Sequence, residues 1–167
     1  GSVAMVELLL SKGADIQATN VQLNTPLHVA IINQNKEAAR VLIERGSDLE
    51  RKNVLLKTPL HLVAMFAQKD MDLAELLIAK GAVIDSRDDY QRTPFLLVAR
   101  QTGNVELGAL LLKHGADINA QDRYGDMPLN LAAWKGFKSF IDFLLDNGAD
   151  FDTTRGMAVQ MLRFAAY

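Results

Sequence analysis

The chain of 167 residues contains no cysteine. Disulfide staples and thiolate metal sites are therefore excluded, and nothing calls for an oxidising compartment. Histidine is scarce too: His28, His61 and His114 are the only three, too dispersed to offer a metal-ligand spacing. No apolar run approaches the roughly 18 residues that a membrane-spanning helix needs. Neither sign of charge dominates, with 18 Lys and Arg against 20 Asp and Glu. That balance argues against a dedicated nucleic-acid binder, which normally carries a net basic face. Low complexity is absent as well: 49% hydrophobic and 23% charged residues make an ordinary globular mixture, long enough for one domain with a sizeable core. No secretory signal is visible, and Gly1-Ser2 reads as a cloning scar outside the fold.

What is present is repetition. A leucine-led phrase recurs as LLSKGAD (Leu9–Asp15), LIERGSD (Leu42–Asp48), LIAKGAV (Leu77–Val83), LLKHGAD (Leu111–Asp117) and LLDNGAD (Leu144–Asp150). Its glycines, Gly13, Gly46, Gly81, Gly115 and Gly148, are spaced by 33, 35, 34 and 33 residues. Such a period marks a solenoid built from one supersecondary unit. A second phrase begins 12 residues after each of the first four glycines: Thr25-Pro26-Leu27-His28, Thr58-Pro59-Leu60-His61, Thr93-Pro94-Phe95-Leu96 and Met127-Pro128-Leu129-Asn130. All four prolines of the chain lie in it. From this phrase to the next glycine the distance varies: 21, 23, 22 and 21 residues. The connector is thus fixed in length, and insertions fall in the helical half of the unit.

The chemistry of the phrases predicts their structure. Thr25, Thr58 and Thr93 sit where a hydroxyl can cap a helix, and proline follows at the first helical position. Leu27, Leu60 and Phe95 point into the core, with Ala30, Ala64, Ala99 and Ala132 allowing helices to approach. Ile141, Leu144 and Leu145 show the three-to-four spacing of a second helix. The repeated glycines end that helix in a left-handed cap. Met127 and Gln160-Met161 lack the capping threonine, so fraying toward the C-terminus is expected.

TPLH and LLxxGAD, recurring in phase, are similar to ankyrin repeats, and the resemblance covers essentially the whole chain. It implies an all-α solenoid of helix-turn-helix units joined by hairpin-like loops. The expected organisation over 3–167 is a half unit (3–18), four full units (19–51, 52–86, 87–120, 121–153) and a final half unit (154–167). Half units at both ends read as the edges of a fragment cut from a longer protein. The resemblance also assigns His28 and His61 to hydrogen bonds between adjacent connectors, and Asn119 as a candidate for asparaginyl hydroxylation.

No catalytic, cofactor or metal site emerges. His114 precedes a capping glycine, where positive charge is favoured. Each repeated glycine follows a helix instead of opening one, unlike a phosphate loop. Asp85, Asp88 and Asp89 lack the spacing of a calcium loop and read as turn formers. Neither an enzymatic activity nor a small-molecule substrate is therefore expected.

Binding residues are sought where the resemblance places the concave groove and the connector tips. Ile32, Met65, Phe66 and Trp134 form an apolar row at the ends of the first helices, with Arg100 in the corresponding place of the third unit. At the tips stand Val21, Leu23, Val54, Leu55, Leu56, Tyr90 and Tyr124; Leu23, Leu56 and Gln91 replace the turn glycine that Gly125 keeps. Burial of Phe66 under a longer turn, and packing of tip leucines on one another, are the alternatives. Lys52, Lys57, Arg87, Arg92, Arg100, Arg123 and Lys135 fall on the same face, together with the acids Asp88, Asp89, Asp122 and Asp126, some of which make turns; Glu37, Glu44, Asp72, Glu75, Glu106, Asp142 and Asp146 lie mostly on the opposite side, on the second helices. A basic groove with an acidic back results, and the alternative is an evenly solvated surface.

The reading is a monomeric, non-catalytic module of the cytoplasm or nucleus. It binds a protein or peptide partner, acidic and partly apolar, through Ile32, Lys52, Leu55, Met65, Phe66, Arg87, Tyr90, Arg100, Arg123, Tyr124 and Trp134. The main alternative is a targeting or regulatory segment of a larger enzyme or ion channel. A nucleic-acid binder using the basic groove and a plain structural spacer are the others.

Overall fold

The computed structural model describes residues 3–66 and 71–150. Within them the elements are α1 (Val3–Ser11), α2 (Pro26–Ile32), α3 (Lys36–Glu44), α4 (Pro59–Phe66), α5 (Asp72–Ala79), α6 (Pro94–Leu97), α7 (Val105–Lys113), α8 (Pro128–Lys135) and α9 (Lys138–Asp146). A π-helical turn, Val98–Thr102, continues α6. The helices form pairs α2–α3, α4–α5, α6–α7 (through the π-turn) and α8–α9, here numbered one to four, and α1 packs on α3. First helices stack in the row α2, α4, α6, α8, and second helices in the row α3, α5 and then α7, α9. This is an all-α repeat stack.

Capping explains where the helices begin. The Thr25 hydroxyl accepts from the His28 amide and that of Thr93 from the Leu96 amide, each followed by proline at the first turn. Met127 makes no side-chain cap, as its chemistry requires. Two further caps start second helices: Asn35 accepts from the Ala38 amide and Asn104 from the Leu107 amide. The repeated glycines Gly13, Gly46, Gly81, Gly115 and Gly148 all have φ between 79° and 92°. Open space surrounds the place of a Cβ at each, so backbone conformation alone selects glycine there.

One core runs through the stack. Leu27, Leu60, Phe95 and Leu129, at one register position, are fully buried, as are Leu42, Leu77, Leu111 and Leu144 from the second helices. Leu9, their counterpart in α1, is half exposed. An apolar cleft of about 720 Å³ lies beside it, lined by Val6, Leu10, Pro26 and Val29 among others.

The unequal repeat lengths have distinct structural outcomes. The one extra residue of the third pair is absorbed inside the first helix, as the π-turn ending at Gly103 (φ 58°). The sequence pattern placed such insertions in the helical half of the unit, and here the first helix itself widens. The two extra residues of the second pair fall between α4 and α5, where 67–70 lie outside the described residues. The expected cap-poor segment around Gln160 and the half unit 154–167 also lie outside them.

The third and fourth pairs meet through aromatics. Phe140 stacks at 5.9 Å from Phe95 and 5.5 Å from Phe143. Gly103 and Gly108 leave room for this: a Cβ at Gly108 would stand 2.6 Å from the Phe140 ring, and one at Gly103 2.5 Å from that of Phe137. Gly108→Ala should therefore lower stability by about 1–2 kcal/mol through overpacking, although alanine is the better helix former. A urea midpoint at or above that of the wild type would show that the aromatic junction can yield.

Candidate functional site

The connectors between pairs are built on one recurring side chain. Asn20, Asn53, Asp88 and Asp122 each stand five residues before the Thr or Met that opens the next first helix. The Oδ1 of each accepts two backbone amides: those of Gln22 and Asn24, of Leu55 and Lys57, of Tyr90 and Arg92, and of Tyr124 and Asp126. Each tip is thereby wound into a tight turn, closed by a backbone bond such as Leu56 N–H to Asn53 O. Neighbouring tips join by further backbone bonds, from Val54 to Gln22 (3.0 Å), Asp89 to Leu55 (3.2 Å) and Arg123 to Tyr90 (2.9 Å). Sequence reasoning took Asp88 as a turn former but missed the series, although an amide or carboxylate recurring at one register position was a usable signal.

The turns force the third tip residue into left-handed backbone: φ is 56° at Leu23, 51° at Leu56, 59° at Gln91 and 76° at Gly125. For leucine that conformation costs roughly 1–2 kcal/mol. Val21, Leu23, Val54, Leu55 and Leu56 nevertheless stay exposed, Val21 almost completely at 97%.

Farther along the ladder the tips become aromatic and charged, with both signs present in 88–92 and 122–126. The rings of Tyr90 and Tyr124 stand 6.3 Å apart. Two guanidinium groups bracket Tyr90, those of Arg92 at 4.4 Å and Arg123 at 4.9 Å. Tyr124 is 59% exposed. At the far end of α8, Trp134 is 54% exposed. The Lys135 ammonium lies 4.5 Å from its ring centroid and the Arg100 guanidinium, carried by the π-turn, 5.9 Å. Among the described residues, no carboxylate lies within ion-pair distance of Arg100, Arg123 or Lys135. Ile32 and Phe66 are exposed at the ends of α2 and α4, while Met65 is half-buried against the core.

Two of the expected groove cations are not available to a partner. Lys57 is 4% exposed and its ammonium binds Asp88 at 2.9 Å. Arg92 grips the same carboxylate at 3.0 Å. Burial pushes the Asp88 carboxyl up, but the Arg92 amide and the Lys57 and Arg92 side chains outweigh it and hold the group below its usual range. The reading of Lys57 and Arg92 as members of an open basic face is thus corrected. Buried carboxylate Asp88 needs both. Lys52 donates to the Arg87 carbonyl, and Arg87 donates to the carbonyls of Gln91 (2.7 Å) and Gln121 (2.6 Å). These two cations clamp connectors while keeping their charge at the surface. The acids Glu37, Glu44, Asp72, Glu75, Glu106, Asp142 and Asp146 are all exposed on second helices.

Side chains also carry the bonds between pairs. Nε2 of His28 meets the Lys57 carbonyl at 3.0 Å, and that of His61 meets the Arg92 carbonyl at 3.0 Å; Nδ1 of each contacts its own threonine hydroxyl at 2.8 Å. The ring must donate through Nε2 to a carbonyl, which fixes the neutral tautomer. Leu96 takes this place in the third pair and Asn130 in the fourth. A parallel set of ties follows the glycine phrase: Glu50 accepts from the Val83 amide, Asp85 from Asp117, and Asn119 from Asp150. Burial raises the Asp85 carboxyl above its usual range. The Asn119 amide also donates to the Asp150 carboxylate at 2.8 Å.

Comparison with known proteins accords with this geometry. The family model described as ankyrin repeats (3 copies) matches residues 1–53 and 60–155, so the chain belongs to the ankyrin-repeat family. Ankyrin repeats are generally protein–protein interaction modules and typically non-catalytic. No curated protein matches the chain. Among the described residues, no helix is long and apolar enough to cross a membrane.

The histidine ties give the stack a defined acid response. Burial lowers both histidines, His61 to about 4 from 6.5, against the opposing bond to the Arg92 carbonyl. Protonation therefore favours the unfolded chain, and stability falls as pH drops from 6.5 toward 4. His61 alone should remove about 2 kcal/mol between pH 7 and pH 5. Urea titrations at these two pH values check it, with His61→Leu, the residue of the third pair, expected to flatten the dependence. An equal slope in that variant would assign the acid sensitivity elsewhere.

Proposed function

We propose that this domain binds a protein or peptide partner, acidic and partly apolar, along the tips and first-helix ends of its stack. The observation that carries the reading is Trp134: an exposed indole flanked by Arg100 and Lys135, neither satisfied by a carboxylate among the described residues. A partner carboxylate can pair with either cation while an apolar side chain lies on the ring. Tyr90, with the Arg123 guanidinium against its ring and the exposed Tyr124 ring beside it, offers a related arrangement at the tips. Aromatic and arginine side chains dominate binding energy at interfaces, and cations on this side draw in an acidic partner faster.

Rigidity favours the same use. The tips are tied by side-chain and backbone bonds at each described junction, so little ordering entropy opposes association. A monomeric module of the cytoplasm or nucleus suits the cysteine-free composition.

The test is alanine substitution. Trp134→Ala should weaken binding of an acidic, leucine-containing peptide by about 1–3 kcal/mol and leave the melting temperature near that of the wild type. Arg100→Ala with Lys135→Ala should weaken it at low salt and much less at about 0.5 M salt, where such charges are screened. Unchanged affinity with a lowered melting temperature would make Trp134 a packing residue and end the reading.

A further inference from the structure

The character of the tips changes along the stack. Between 20 and 24, and again between 53 and 56, there is no charged residue. The side chains there are Val21, Leu23, Val54, Leu55 and Leu56, all exposed. From the third tip onward come Tyr90 and Tyr124 with charges of both signs: Arg92 and Arg123 beside Asp88, Asp89, Asp122 and Asp126. The two halves are physically continuous, because the Asp89 amide bonds the Leu55 carbonyl and the Arg123 amide bonds the Tyr90 carbonyl.

Backbone conformation sharpens the contrast. The fourth tip meets its left-handed position with Gly125, the residue that adopts it without strain. The first two meet it with Leu23 and Leu56, whose side chains are 46% and 45% exposed. Burial of those leucines therefore offsets only part of their strain in the free domain. Covering by another apolar surface would complete it.

Resting on the acidic-partner reading above, we infer that the recognition element of the partner is bipartite. An uncharged apolar segment seats on the first two tips, and an acidic segment of the same chain runs over pairs three and four. The direction follows from the matching of the two halves: apolar on apolar at the uncharged tips, carboxylate on Arg123, Arg100 and Lys135, which no carboxylate among the described residues meets. Affinity then has two separable parts, one insensitive to salt and one screened by it.

The experiment selects peptides from a randomised display library, each about 15 residues and some 50 Å when extended, on the intact chain. Peptides with one acidic block and one separate block of leucine-like residues are expected. Selected peptides are then titrated against the wild type, the Leu23→Gly, Leu56→Gly double variant, and the Arg100→Ala, Lys135→Ala double variant. The glycine variant should melt a few degrees higher, its strain relieved, yet bind about tenfold more weakly, with that loss unchanged at high salt. The loss in the alanine variant should largely vanish at high salt. A glycine variant that melts higher and binds as tightly as the wild type overturns the bipartite inference while leaving the acidic site standing. Selected peptides without acidic residues, bound equally by all three proteins, overturn both. Concentration-dependent dimers that the glycine substitutions abolish would assign the leucine tips to a second copy of this chain, and would also overturn the inference.

Discussion

Connectors in this stack have neither helix nor sheet ladder to satisfy their backbone, and buried amides and carbonyls must find partners. Side chains supply them. One oxygen at each of Asn20, Asn53, Asp88 and Asp122 takes two amides, and the imidazoles of His28 and His61 reach across to the next connector's carbonyl. Every one of these bonds depends on a fixed count of residues. That is why the stretch from glycine to the Thr-Pro phrase keeps one length while the helical half varies. The proposed binding surface inherits this rigidity, since its tips are the outer ends of the same connectors.

Charge in the third connector shows how far such satisfaction goes. Asp88 is fully buried and accepts from two amides, Lys57 and Arg92. A buried pair of this kind adds little net stability, but loss of one partner leaves an uncompensated charge and is strongly destabilising. Asp88, Lys57 and Arg92 thus act as a lock between pairs two and three. Arg100, Arg123 and Lys135 lie outside it, with no carboxylate among the described residues in ion-pair distance.

Much of this was legible in the sequence, because the repeat makes each position a replicate. Caps, helix stops, core leucines and the two bridging histidines could be read from phrases that recur in phase. The π-turn could not. The count of 22 residues in the third unit announced an extra residue, but whether it widened a helix or lengthened a turn depended on Gly103 packing beneath Phe137, a contact between neighbouring pairs. Lys57 and Arg92 were misplaced for a related reason. Position along the repeat puts them near the tip, yet only the burial of Asp88 reveals that their charge is consumed there. The flanking of Trp134 by Arg100 likewise arises from two pairs together. What a single unit encodes was readable, and what two units make jointly was not.

The aromatic junction has a kinetic consequence. In a stack where each pair touches only its neighbours, folding can start anywhere and spread. It starts soonest where local coupling is strongest. Phe95, Phe140 and Phe143 interlock over Gly108 at the third and fourth pairs, whereas α1 at the other end buries no residue. A stack seeded at that aromatic junction would grow toward α1, and α1, the described helix that buries nothing, would be the first of the described helices to detach under load.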